Sequence, residues 1–166
     1  NIITSLWQRI HCKEDKKMLI DHAQAFDILL VEDEPADANL VRSALKTNKV
    51  FCNVHHELDG VDALAFLRRQ GERYKNAPQP DLILLDLNMP RMNGREFLAE
   101  IKKDPDLSMI PVVVLTTSDV ERDVVASYKL GAAGYITKPV DMEQFIDAIR
   151  QLDNYWFTLT RLPRKN

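Results

Sequence analysis

Between Asp27 and Leu152 the chain alternates two textures. Unbroken apolar runs stand at residues 28–31, 82–85 and 111–115, with a weaker run over 51–58 and a last, short one at 134–137. Between them apolar residues recur every three or four positions. Leu40, Val41, Ala44 and Leu45 form one stripe, Ala63, Leu64, Phe66 and Leu67 a second, and Phe97, Leu98 and Ile101 a third. Val124, Val125 and Tyr128 form a fourth, and Met142, Phe145, Ile149 and Leu152 a fifth. The runs predict strands and the stripes predict helices. Ser118 and Glu121 have the spacing of a capping box at a helix start. Gly71 and Gly131 fall where helices should stop, at positions suited to a left-handed residue.

Strand and helix in strict alternation predict an α/β domain, a five-stranded parallel sheet with helices on both faces. Such a sheet hides both sides of every strand, which explains why the runs are continuous rather than alternating. In an open parallel sheet, ligands bind outside the carboxyl ends of the strands. Glu32 and Asp33 end the first strand, Asp86 the third, Thr116 and Thr117 the fourth, and Lys138 follows the fifth. Each has an ordinary explanation when taken alone. Asp86 would be a helix cap or a loop residue, Glu32–Asp33 a surface pair, and Lys138 a lysine before the turn-forming Pro139. Their arrival together at one sheet edge is the specific signal.

Three carboxylates at one edge cannot all stay ionised without a cation. Oxygen donors suit a hard ion that keeps water, so Mg²⁺ is the natural choice, with Mn²⁺ as a substitute. A lysine and a hydroxyl aimed at the same place do not belong to a metal cage. They suit an anion beside the metal, as a phosphoryl group would be. A carboxylate can itself accept a phosphoryl group as an acyl phosphate. Asp86, on the central strand and before a loop shaped for access, is the candidate acceptor.

Composition narrows the field. The 166 residues are 45% hydrophobic and 28% charged, and the net charge is −3 with no basic tract, which argues against nucleic acid as the main partner. Two cysteines without metal-ligand spacing, no apolar span of membrane length and no leader pattern point to a reduced, cytoplasmic protein rather than a membrane one. His55 and His56 are neighbours on a strand and face opposite ways, so they do not chelate together.

The segments LLVEDE (29–34), LLDLNMPRMNG (84–94), VVVLTTS (112–118) and GAAGYITKPV (131–140) resemble the response-regulator receiver domains of two-component signalling, over most of residues 27–152. The resemblance implies a flavodoxin-like strand order of 2-1-3-4-5. It implies that Asp86 takes its phosphoryl group from a sensor histidine kinase. Asp33 would bind Mg²⁺ directly and Glu32 through water, with the backbone carbonyl of Asn88 completing the site beside Asp86. Lys138 would pair with the phosphoryl oxygens, before a cis peptide to Pro139. Thr116 would move its hydroxyl onto the phosphate, and Tyr135 would follow inward as a switch. Thr117 stands where many members have Ala, and its backbone amide would still donate. The long connection GERYKNAPQPDLILLD (71–86) and the tail DNYWFTLTRLP (153–163) are similar to the stand-alone regulators that partner bacterial and cyanobacterial phytochromes.

The expected layout is an N-terminal extension over 1–26, a receiver domain over 27–153 and an apolar C-terminal extension over 154–166. No separate output domain is expected, so output would be a changed surface on the fourth predicted helix, the fifth strand and the fifth helix. Phe145, Ile149 and Leu152 belong to a heptad-like seam that Trp156 and Leu159 continue. Up to Leu152 it would pack on the sheet, but Tyr155, Trp156, Phe157 and Leu159 lie past the end of the domain and need a further surface to bury against. With the resemblance, they point to a homodimer.

Three alternatives stand beside this reading. A phosphorylation-independent adaptor or dimerisation module would not need all of the acidic pair, Asp86, Thr116 and Lys138. The chain would also fit the terminal receiver of a hybrid histidine kinase. A phosphohydrolase of the haloacid dehalogenase type uses the same residue types, but its nucleophile ends the first core strand and a second Asp follows two residues later. Here position 88 is Asn, which leaves no evident general acid, so a phosphoacceptor rather than an enzyme is expected.

Overall fold

The computed structural model describes residues 26–47, 52–117, 129–138 and 143. Five strands form one sheet: β1 (Phe26–Val31), β2 (Cys52–Glu57), β3 (Leu82–Asp86), β4 (Val112–Thr116) and β5 (Gly134–Thr137). All adjacent pairs are parallel and the order is β2-β1-β3-β4-β5. The described helices are α1 (Pro35–Thr47), α2 (Gly60–Leu67), the short α3 (Gly71–Tyr74) and α4 (Gly94–Lys103). The predicted fold class and strand order are both observed.

Alternation along each strand divides the core into two layers. Ile28 and Leu30 of β1 face one side, where they meet Ala38, Val41 and Leu45 of α1 together with Leu82, Leu84, Val113, Leu115 and Ile136. Leu29 and Val31 face the other, against Ala63, Leu64 and Phe66 of α2 and Phe97, Leu98 and Ile101 of α4. Both faces of β1, β3 and β4 are thus sealed, as the continuous apolar runs require. Leu40, read as part of the α1 stripe, instead lies outside the packed face and is 51% exposed.

Local chemistry fixes where the helices start. Asp59 precedes α2 in extended conformation and accepts the N–H groups of Val61 (2.8 Å) and Asp62 (3.0 Å). Asn93 and Glu96 form a reciprocal capping box at the start of α4. In the sequence this box is hidden in a Met-Asn-Gly run that reads as a turn, and so went unread. The capping box predicted at Ser118–Glu121 lies outside the described residues. Gly131 and Gly71 both have positive φ, but α2 already stops at Leu67, and Arg69, with φ of 54°, turns the chain before Gly71 opens α3. The long connection before β3 therefore contains a helical turn of its own, anchored by buried Tyr74.

Candidate functional site: an acidic cluster around one lysine

The parallel register brings the polar strand ends together. β1 and β3 lie side by side with Val31 beside Leu85, so Glu32 and Asp33 emerge next to Asp86. One carboxylate oxygen from each of Glu32, Asp33 and Asp86 lies within 4.8 Å of the others, and Glu32 and Asp86 are buried while Asp33 is exposed. Oxygen-only donors in this arrangement fit a hard divalent cation. Lys138, the residue after β5, contributes the one ammonium of the group among the described residues. Lys138 Nζ lies 2.5 Å from Glu32 Oε2, 2.8 Å from Asp37 Oδ2 and 3.1 Å from Asp86 Oδ1. Its backbone N–H donates to Thr116 O at 2.8 Å, which ties the end of β5 to the end of β4.

Electrostatics reflects the crowding. Burial raises the Asp86 carboxyl above the ordinary range, with the Lys138 ammonium opposing the shift. Burial also raises Glu32; its hydrogen bond from Lys138 opposes this and the charge of Asp86 adds to it. For Lys138 burial alone would lower the value, but hydrogen bonds to Asp37 and Glu32 and the charge of Asp86 outweigh it, so the ammonium is held firmly protonated.

The loop after β3 is held at both ends. Gly94 packs so closely on the strand end that a Cβ there would stand 2.2 Å from the Asp86 carbonyl oxygen, and its N–H donates to Leu87 O. Within the loop the Asn88 N–H donates to Asp86 Oδ2 at 3.0 Å. Arg91 adopts a left-handed φ of 62° and pairs with Asp59 at 3.1 Å and Asp62 at 3.5 Å. The Met92 carbonyl accepts the Gly60 N–H, and Gly60 has no space for a side chain against Met92. The loop that carries Asn88 is therefore clasped to the start of α2.

Thr116 is buried at the end of β4, one residue beyond the Leu115 that pairs with Asp86. Thr117 follows and is exposed. Tyr135 sits on β5 and is 46% exposed. The structure thus gathers Glu32, Asp33, Asp86 and Lys138 directly, with Asn88 and Thr116 adjoining. Pro139 and the tail residues Phe145, Ile149, Leu152, Tyr155, Trp156, Phe157 and Leu159 lie outside the described residues. His55 meets Asp27 Oδ1 at 2.9 Å, away from the site, and His56 meets the backbone carbonyl of Glu32 at 2.7 Å.

Asp37 is the site residue that sequence reasoning missed. It lies in the first turn of α1, four positions after Asp33, and one helical turn would have carried it back over the strand end. Arg91 was also missed, because nothing in its neighbours announces a left-handed backbone.

Comparison with known proteins agrees with this geometry. Residues 28–150 match the family described as the response regulator receiver domain. The response regulator Rcp1 of Synechocystis sp. is 50% identical over 140 residues, spanning 82% of this chain and 92% of Rcp1. The crystal structure of its Mn²⁺-bound form superposes with a TM-score of 0.65 at 49% identity, covering 79% of this chain and 94% of that one. The crystal structure of the phosphorylated cyanobacterial phytochrome response regulator RcpA gives 0.67 at 46% identity, covering 82% and 96%. With the fold, the strand-end acids and these matches in agreement, the chain belongs to the response-regulator receiver-domain family of two-component signalling.

Proposed function

We propose that Asp86 is the phosphoacceptor of this receiver domain, in a reaction that needs Mg²⁺. The observation that carries this reading is the gathering of Glu32, Asp33 and Asp86 at one point, with Glu32 and Asp86 paired to a single ammonium among the described residues, that of Lys138. An oxygen of Asp86 attacks the phosphorus of a phosphohistidine on a sensor kinase; the P–O bond forms, the P–N bond breaks, and the histidine leaves. A divalent cation held by Glu32, Asp33, Asp86 and the Asn88 carbonyl would supply charge neutralisation at the phosphoryl oxygens. Lys138 takes a further share of that charge, and the Thr117 amide donates to it.

Thr116 then turns its hydroxyl towards the new phosphate, and Tyr135, exposed in the present structure, follows inward. Reversing a 1:99 population takes about 5.5 kcal/mol of differential stabilisation, within reach of several charge-assisted hydrogen bonds. We assign the receiver domain to residues 27–153, flanked by extensions at 1–26 and 154–166. The similarity to the phytochrome response regulator RcpA supports a phytochrome-type kinase as donor. We place the chain in the cytoplasm, and the apolar residues of its C-terminal sequence support a homodimer that uses that seam. The net charge of −3 supports protein rather than nucleic-acid partners. No helix among the described residues is long and apolar enough to cross a membrane.

The test is phosphotransfer from a labelled, autophosphorylated phytochrome-type histidine kinase with Mg²⁺. Label should pass to the wild-type chain, be released by hydroxylamine and fail to reach Asp86→Asn. Label that reaches Asp86→Asn equally well would refute the assignment.

A further inference from the structure

An ammonium has three N–H donors. In Lys138 two of them donate to Glu32 and Asp37, and the third faces Asp86 Oδ1 at 3.1 Å. The donor capacity of the lysine is therefore filled before any phosphoryl group arrives. A phosphoryl group on Asp86 adds oxygens that need this same ammonium, and one of the three carboxylates must give way.

The three are unequal. Asp86 becomes a neutral acyl group on phosphorylation and passes its one N–H to the phosphoryl group it carries, so a second N–H must come from Glu32 or Asp37. The Glu32 side chain is 1% exposed and would be left buried without its cation. The Asp37 side chain is 30% exposed and stands in the first turn of α1, where water can take over its oxygen and the helix N-terminus favours its charge. Asp37 is the carboxylate that can leave most cheaply.

We propose that Asp37 is a resting-state latch on Lys138, exchanged for a phosphoryl oxygen when Asp86 is phosphorylated. It is a positioning residue: it keeps the ammonium over the site in the resting protein and competes with the phosphoryl group for it. The inference rests on Asp86 being the phosphoacceptor. It predicts that Asp37 limits how tightly the site holds a phosphoryl group, in opposition to the acids that bind the metal.

The test compares wild type with Asp37→Ala, Asp37→Asn and Glu34→Gln. Glu34 is a neighbouring acid that makes no ion pair with Lys138, so its variant reports the loss of a nearby charge without the loss of the latch. Each protein is titrated with beryllofluoride, a phosphoryl mimic, at saturating Mg²⁺ and followed by ¹⁹F NMR. Mg²⁺ affinity is measured separately without the mimic, and uptake of phosphoryl from acetyl phosphate by intact mass. Asp37→Ala should bind beryllofluoride about fivefold tighter, the difference between a charged and a neutral competitor for one N–H. Asp37→Asn, which cannot fail through a missing side chain, should gain about half as much on the logarithmic scale. Mg²⁺ affinity should stay level or fall, and Glu34→Gln should bind the mimic as wild type does.

If wild type gains a phosphoryl group on Asp86 but both Asp37 variants bind beryllofluoride no tighter than wild type or Glu34→Gln, the latch is overturned and the phosphoacceptor role stands. If wild type gains no phosphoryl group, both fall together.

Discussion

Two sets of buried acids share the carboxyl edge of the sheet, and they are neutralised in opposite ways. At the end of β2, Glu57 accepts the Tyr74 hydroxyl at 2.8 Å and pairs with Arg73 at 3.0 Å. Two residues on, Asp59 accepts two N–H groups of α2 and pairs with Arg91. Each of these acids has an arginine of its own. At the ends of β1 and β3, Glu32 and Asp86 each accept one backbone N–H, from Glu34 and Asn88. But Glu32, Asp37 and Asp86, with Asp33 beside them, share a single cation among the described residues, Lys138. Burial raises Glu57 as it raises Glu32 and Asp86, so a shifted carboxyl does not by itself separate a structural acid from a functional one. The number of cations per acid does. A cluster short of positive charge is a cluster that awaits a cation.

Substitutions at the charge-poor cluster should therefore affect chemistry most. Asp86→Asn should abolish phosphoryl uptake from acetyl phosphate, as read by intact mass. Removing one of the crowded charges should also raise the stability of the metal-free protein by about 1 kcal/mol, read by urea denaturation. Mg²⁺ should stabilise wild type more than this variant.

Lys138→Met comes next. It leaves buried Glu32 and Asp86 without a cation and should cost about 3–5 kcal/mol in metal-free buffer. Divalent metal should restore part of the loss in the same denaturation experiment. A loss under about 1 kcal/mol would mean that the cluster is solvated rather than paired.

On the charge-matched side, Tyr74→Phe should cost about 2 kcal/mol, because Glu57 loses a hydrogen bond to its charged form. Phosphoryl uptake should be unaffected. Burial, and then the hydrogen bond and charge of Glu57, raise the Tyr74 hydroxyl above its ordinary value of 10.0. A raised folded value contributes stability that is present below the unfolded one and is lost as pH rises through the folded one. Wild type should therefore lose stability above about pH 10 with a slope that Tyr74→Phe lacks. Equal slopes in the two proteins would remove Tyr74 from the alkaline transition.

The smallest effect is expected at the clasp. Arg91→Ala should cost about 1 kcal/mol, since the guanidinium is half exposed and Asp59 keeps its two helix N–H donors. Arg91→Gly should be the milder change, because glycine accepts the φ of 62°. If Gly proved the more damaging, the backbone there would be held by something other than the ion pairs.

The parts of this molecule legible in its sequence are those set by local pattern. A parallel sheet sealed on both faces writes its strands as unbroken apolar runs, and the acids that end β1 and β3 stand out because they interrupt them. Lys138 was legible by its place after the last strand. What could not be read was pairing across the fold. The Lys138–Asp37 contact joins residues 101 positions apart and depends on how α1 sits on the strand end. Glu57, Arg73 and Tyr74 are close in sequence, yet the segment that supplies Arg73 and Tyr74 read as a lengthened connection, and only its folding into α3 reveals an anchor. Leu40 shows the converse: it keeps the helical period but lies beyond the edge of the face that packs.

The most direct test of the central claim is to locate the phosphoryl group. The protein would be phosphorylated with acetyl phosphate and Mg²⁺, reduced with borohydride, which converts an aspartyl phosphate to homoserine, and mapped by peptide mass spectrometry. Homoserine at position 86 alone, absent when the metal is chelated, is the predicted result. Reduction at Glu32, Asp33 or Asp37, or no reduced residue in folded protein that binds Mg²⁺, would contradict it.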